Sequence, residues 1–73
     1  MPCEVFKIIN SSEDRTLDIQ YTACSDGLSA GHTVTAAGSV LLCSYAHPYI
    51  TKGKGTIEVQ NNHELIGIGA PNK

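Results

Sequence analysis

Thr16-Leu17-Asp18-Ile19-Gln20-Tyr21-Thr22-Ala23 alternates polar and apolar residues without a break, and this constrains the fold more than any other feature of the chain. A period of two puts Leu17, Ile19, Tyr21 and Ala23 on one face and Thr16, Asp18, Gln20 and Thr22 on the other. That is the pattern of a half-buried strand. Gly55-Thr56-Ile57-Glu58-Val59-Gln60 repeats it, with Ile57 and Val59 directed inward. Segments 4–9, 32–36, 39–45, 49–52 and 63–68 are also rich in strand-forming residues. No apolar period of 3.6 persists over three turns.

Turn-forming residues separate these runs. Asn10-Ser11-Ser12-Glu13-Asp14 divides the first two, and Ser25-Asp26-Gly27 through Gly31 divides the second from the third. Ala36-Ala37-Gly38, Lys52-Gly53-Lys54-Gly55 and Asn61-Asn62 supply the rest, with Gly53 and Gly55 read as the tip of a solvated hairpin. Short strands with turns every eight to twelve residues predict an all-β chain. The expectation is a small single-domain β-sandwich or barrel of six to seven short antiparallel strands over residues 1–73. There is no internal repeat and no linker.

Seventy-three residues hold little core, and 41% of them are hydrophobic. Ordering the backbone costs roughly 1–2 kcal/mol per residue, so domains of this size come out near balance without a staple or a neighbour. Short strands also leave edges that invite another chain. Self-association or docking into a larger assembly is therefore expected. Ile50, Ile57, Ile66 and Ile68 are core or interface positions that sequence alone does not separate.

Charge gives no strong field. Five Lys/Arg against seven Asp/Glu leave −2, and most of the acids fall in the first half. The single basic feature is Lys52 and Lys54, flanking Gly53. Such a pair can meet phosphates, and repeated around a ring it could form an RNA track. The start Met1-Pro2-Cys3-Glu4 is acidic and the apolar runs are short, so neither a secretory leader nor a membrane segment is expected. The sequon Asn10-Ser11-Ser12 then reads as a turn.

Cys24 and Cys43 could be bridged, closing a loop of about 20 residues worth on the order of 3 kcal/mol. Alternatively, Cys43 is a small buried hydrophobe and Cys24 an ordinary loop thiol, and Cys3 is left over in either case. Cys3, Cys24, Cys43, His32, His47 and His63 are metal-ligand types without metal-ligand spacing. No strained nucleophile turn is present. The expectation is no catalytic residue, no metal and no cofactor.

Two families are similar in part. Tyr21-Thr22-Ala23-Cys24-Ser25-Asp26-Gly27, then His32-Thr33-Val34-Thr35-Ala36-Ala37-Gly38-Ser39-Val40 and Cys43, resembles small cysteine-containing β modules of phage tail and other virion proteins. Gly53-Lys54-Gly55-Thr56-Ile57 looks like their following hairpin. This resemblance covers about half the chain. It implies a structural or adaptor role in a virion, as capsid decoration, tail or baseplate component, with the chain itself or other virion proteins as partners. Gly38-Ser39-Val40-Leu41-Leu42 and Ile50-Thr51-Lys52-Gly53-Lys54-Gly55 resemble segments of the trp RNA-binding attenuation protein family. That resemblance implies a cytoplasmic RNA-binding ring with Lys52 and Lys54 on its rim.

Overall fold

In the computed structural model, which describes residues 3–60 and 64–70, the alternating segment forms strand β2 (Leu17–Thr22). Leu17, Ile19 and Tyr21 are buried and the intervening residues are half-buried. β2 pairs antiparallel with β3 (Ser29–Val34) on one side and β5 (Tyr49–Lys52) on the other. A second sheet has β1 (Glu4–Asn10) at its centre, between β4 (Ser39–Ser44) and β6 (Gly55–Gln60), again antiparallel. The described residues thus form six short strands in two three-stranded sheets, ordered β4-β1-β6 and β3-β2-β5, with no helix and no closed sheet.

One core joins the two sheets. Phe6, Ile8 and Leu42 of the first pack with Leu17, Ile19, Tyr21 and Val34 of the second, and Ile50, Ile57 and Ile68 cover the margins. Ile66 stays outside, 44% exposed. Three of the four isoleucines that the sequence left open are therefore core-packing residues. A smaller cluster of Val5, Cys24 and Cys43 is covered by Cys3, Leu41, Leu65 and Ala70. Val5 and Cys43 are register partners on the side of β1 and β4 opposite Phe6 and Leu42. The segment after β6 thus buries part of a face that would otherwise meet water.

Several boundaries differ from the sequence reading. The third strand is Ser29–Val34 rather than 32–36. The turn closes earlier than its glycines and serines suggest: the Gly27 N–H donates to the Ala23 carbonyl at 2.8 Å and the Ala23 N–H to Leu28 at 2.9 Å. Gly27 adopts φ 72°, so the chain is free to pair again from Ser29, opposite Thr22. Of the expected strand 63–68, His63 lies outside the described residues and the remainder forms no strand. Ile68 alone makes a parallel bridge to Leu42. In β5, Asp18 pairs with Lys52 while Ile19 pairs with Ile50, leaving Thr51 as the extra residue of a bulge.

The Lys52-Gly53-Lys54-Gly55 segment is a crossing from one sheet to the other, not a hairpin tip, because β5 and β6 belong to different sheets. Tight packing drives the choice of glycine. Gly53 has φ 100°, and a Cβ there would lie 2.9 Å from the Thr16 carbonyl oxygen. At Gly55 a Cβ would overlap the Ile9 carbonyl oxygen and a Leu17 methyl.

Among the described residues the two buried polar side chains, Asn10 and Ser44, both reach between the sheets. The Asn10 amide nitrogen, at the end of β1, lies 2.7 Å from the Arg15 carbonyl oxygen, 3.3 Å from that of Val34 and 3.1 Å from that of Thr35. Its Oδ1 accepts the Ser12 N–H at 2.9 Å, forming an Asx turn. At the opposite end of the β1–β4 ladder, Ser44 Oγ accepts the Thr22 N–H at 3.1 Å and donates to the Ala46 carbonyl. Removing the Asn10 amide strands part-buried carbonyls, so Asn10→Ala is expected to lose about 2 kcal/mol of unfolding free energy in urea titration. Asn10→Asp is expected to lose more at pH 7, because it sets a carboxylate against the same oxygens.

Candidate functional site

Three features stand out from the scaffold: a sulfur cluster, a basic corner and an unprotected strand edge. The sulfur cluster corrects the sequence reading. Cys24 is bridged to Cys3, with Cα atoms 6.1 Å apart, and Cys43 is a free, fully buried thiol. A Cys24–Cys43 bridge is not the one formed. Cys3 lies one residue before β1 and Cys24 two residues after β2, so their bridge staples the start of the chain to the second sheet. Cys43 belongs to the same cluster, its Sγ 3.2 Å from the Ile66 carbonyl oxygen under the C-terminal segment. The residue that sequence reasoning left over is half of the bridge, and two-residue alternation through Cys3 and Val5 was the available signal.

The basic corner is built by the crossing between sheets. Lys52 ends β5, Lys54 precedes β6, and both are exposed. The Lys54 carbonyl accepts the Ser11 N–H at 3.2 Å, which holds the crossing against the loop after β1. One shallow cleft here is lined by Ser11, Ser12, Asp14, Arg15, Gly53 and Lys54, and another by Asp14, Arg15, Thr16, Lys52 and Gly53. Arg15 therefore joins Lys52 and Lys54, a grouping that no sequence spacing revealed. Asp14 lines both clefts and Asp18 is the cross-strand partner of Lys52, so the local positive field is partly offset.

The strand edges differ in how well they are protected. The outer side of β4 is occupied by the C-terminal segment: the Ile68 N–H donates to Leu41 at 2.9 Å and the Ile68 carbonyl accepts from Cys43 at 2.8 Å. β5 is four residues long and bulged, and β6 carries Glu58. β3, Ser29-Ala30-Gly31-His32-Thr33-Val34, has no lysine, no carboxylate, no proline and no bulge. Nothing among the described residues pairs with its outer side. Directly before it stands Leu28, at 65% exposure the most exposed large apolar residue described.

Among the described residues no three His, Cys, Asp or Glu side chains come together as a metal-holding group. His47 instead sits edge-on to Phe6, ring centroids 5.4 Å apart. Among the described residues no helix is long and apolar enough to cross a membrane. Compared with known protein families, curated proteins and solved structures, the chain gives no match.

Burial pushes the Cys43 thiol above its ordinary range. Burial, and secondarily the Asp26 carboxylate, raises the Tyr21 phenol likewise. Both groups keep their protons to higher pH in the fold than in the unfolded chain, so the folded state binds more protons in alkali. Their contribution is full below about pH 8.5 and is lost as the pH climbs beyond it. The urea midpoint is accordingly expected to fall from about pH 8.5 upward, with a shallower slope in a Tyr21→Phe, Cys43→Val variant.

Proposed function

We propose that the chain is a non-enzymatic β-sandwich module that works inside an oligomeric assembly, joined to a second copy of itself through the outer edge of β3. The observation that carries this reading is the contrast among the edges. Of the four outer strands, one is covered by its own chain and two are blunted by a bulge or a charge, whereas β3 is bare and flanked by exposed Leu28. An uncovered, uncharged edge is a template for a further strand. Antiparallel pairing of β3 with its copy about a two-fold axis brings no like charges together and yields a continuous six-stranded sheet. The same pairing through β6 would bring two Glu58 carboxylates close. The resemblance to small cysteine-containing modules of virion proteins supports placing this assembly in a phage particle, as capsid decoration, tail or baseplate component.

Native mass spectrometry and sedimentation across a concentration series test the reading. The expected result is a dimer or a multiple of it, with a dissociation constant raised about tenfold or more by Leu28→Lys combined with Ser29→Lys. A wild-type chain that stays monomeric at high micromolar concentration overturns it.

The grouping of Arg15 with Lys52 and Lys54 favours a second reading, an RNA-binding ring. That reading expects RNA affinity that falls steeply with salt and is largely lost in a Lys52→Ala, Lys54→Ala variant. Filter binding that detects no RNA uptake at low salt, or undiminished uptake in the variant, removes it.

A further inference from the structure

The chain has three cysteines, and all three sulfurs belong to one cluster with Val5, under Leu41, Leu65 and Ala70. Two of them form the Cys3–Cys24 bridge and the third is a buried thiol. The bridge between Ala23 and Ser44 is antiparallel, so the next residue on one strand, Cys24, falls beside the preceding residue on the other, Cys43. Cys3 reaches the same place by another route: Val5 is the register partner of Cys43, and Cys3 stands two residues before Val5. A thiol held next to a disulfide is the arrangement that thiol–disulfide exchange needs.

We propose that the three cysteines form an exchange site in which the disulfide moves within the folded chain from Cys3–Cys24 to Cys24–Cys43. The Cys43 thiolate attacks Cys24 Sγ, the Cys43–Cys24 bond forms and the Cys24–Cys3 bond breaks. Cys3 leaves as a thiolate and takes up the proton that Cys43 gave away, so nothing is oxidised or reduced overall. Cys3 is the better leaving position because it is only half-buried, at the start of the described chain, whereas Cys24 and Cys43 are buried. The product exchanges a tie on the N-terminal end for a tie between β4 and the end of β2. It also leaves Cys3 as a thiol within reach of small oxidants or of another chain.

Burial of Cys43 makes the exchange slow at neutral pH and faster in alkali, since only the thiolate attacks. The charged residues on the elements around it are Glu4 and Lys7 of β1, Asp26 in the turn after Cys24, and Glu64 of the C-terminal segment.

Tryptic mapping of the oxidised full-length protein reads the exchange directly. Cleavage after Lys7, Arg15 and Lys52 places Cys3 in one peptide and Cys24 with Cys43 in another. The protein is incubated without reductant, quenched in acid and alkylated before digestion. The expected result is release of peptide 1–7 as its alkylated form, rising about tenfold per pH unit below the Cys43 titration, with an internally bridged partner peptide. Cys43→Ser is expected to abolish release. A Cys3→Ser chain exposed to oxidised glutathione is expected to close Cys24–Cys43 while folded.

Full retention of the Cys3–Cys24 linkage at pH 9 together with no closure in the Cys3→Ser chain overturns the proposal. So does cleavage before Asp26 that shows the new bridge on Cys3 and Cys43 instead. Exchange through global unfolding is recognised in the Asn10→Ala background. There the rate is expected to stay unchanged, and a rise matching the loss of stability also overturns the proposal.

Discussion

Two small polar side chains set how the sheets meet. Asn10 fastens β1 to the end of β3 and to the loop after β1, and Ser44 fastens β4 to the end of β2. Apolar contact between Phe6, Ile8, Leu42 and their opposite numbers is strong but non-directional. On its own it would let two three-stranded sheets slide over each other. Hydrogen bonds at the two ends of the β1–β4 ladder remove that freedom, because a shifted arrangement would leave buried donors or acceptors unpaired. The sequon-like Asn10-Ser11-Ser12 is used for this purpose, its amide directed inward.

Where one face of a strand meets water, its boundaries were legible in the sequence. β2 alternates because it has a wet side, and the bounds of both β2 and β6 were readable within a residue or so, but Val59, read as inward, is 48% exposed. β3 was misplaced because Gly31 and Ser29 look like turn residues. In the fold Gly31 is a strand residue over which the Gln20 side chain extends, its Nε2 3.0 Å from where a Cβ would be. The C-terminal run Leu65-Ile66-Gly67-Ile68 has strand-like composition, yet it lies across β4 and pairs through Ile68 alone. Composition does not distinguish a strand from a strap.

The site residues were legible to a lesser degree. Lys52 and Lys54 were identifiable from their own spacing, but Arg15 joins them only because the crossing at Gly53 folds against the first loop. The pairing of cysteines was underdetermined for the same reason. Spacing along the chain gives loop length, whereas the partner is decided by which strand end stands nearby, and Cys3 is carried there by β1. The bare edge of β3 was foreseeable as a class of problem. Which edge it is depends on topology.

The cover over β1 has a consequence for how the molecule tolerates change. Val5 is buried on one face of that strand and Phe6 and Ile8 on the other, and Cys43 and Leu42 divide in the same way on β4, so β1 and β4 are three-layer strands beside two-layer neighbours. Substitution scanning would therefore show two grammars within one small domain. Along β2, every second position accepts nearly any polar residue. Through Val5, Phe6 and Ile8, hardly any position does, and variation accepted at Val5 has to be matched by Leu65 or Ala70, at the other end of the described chain.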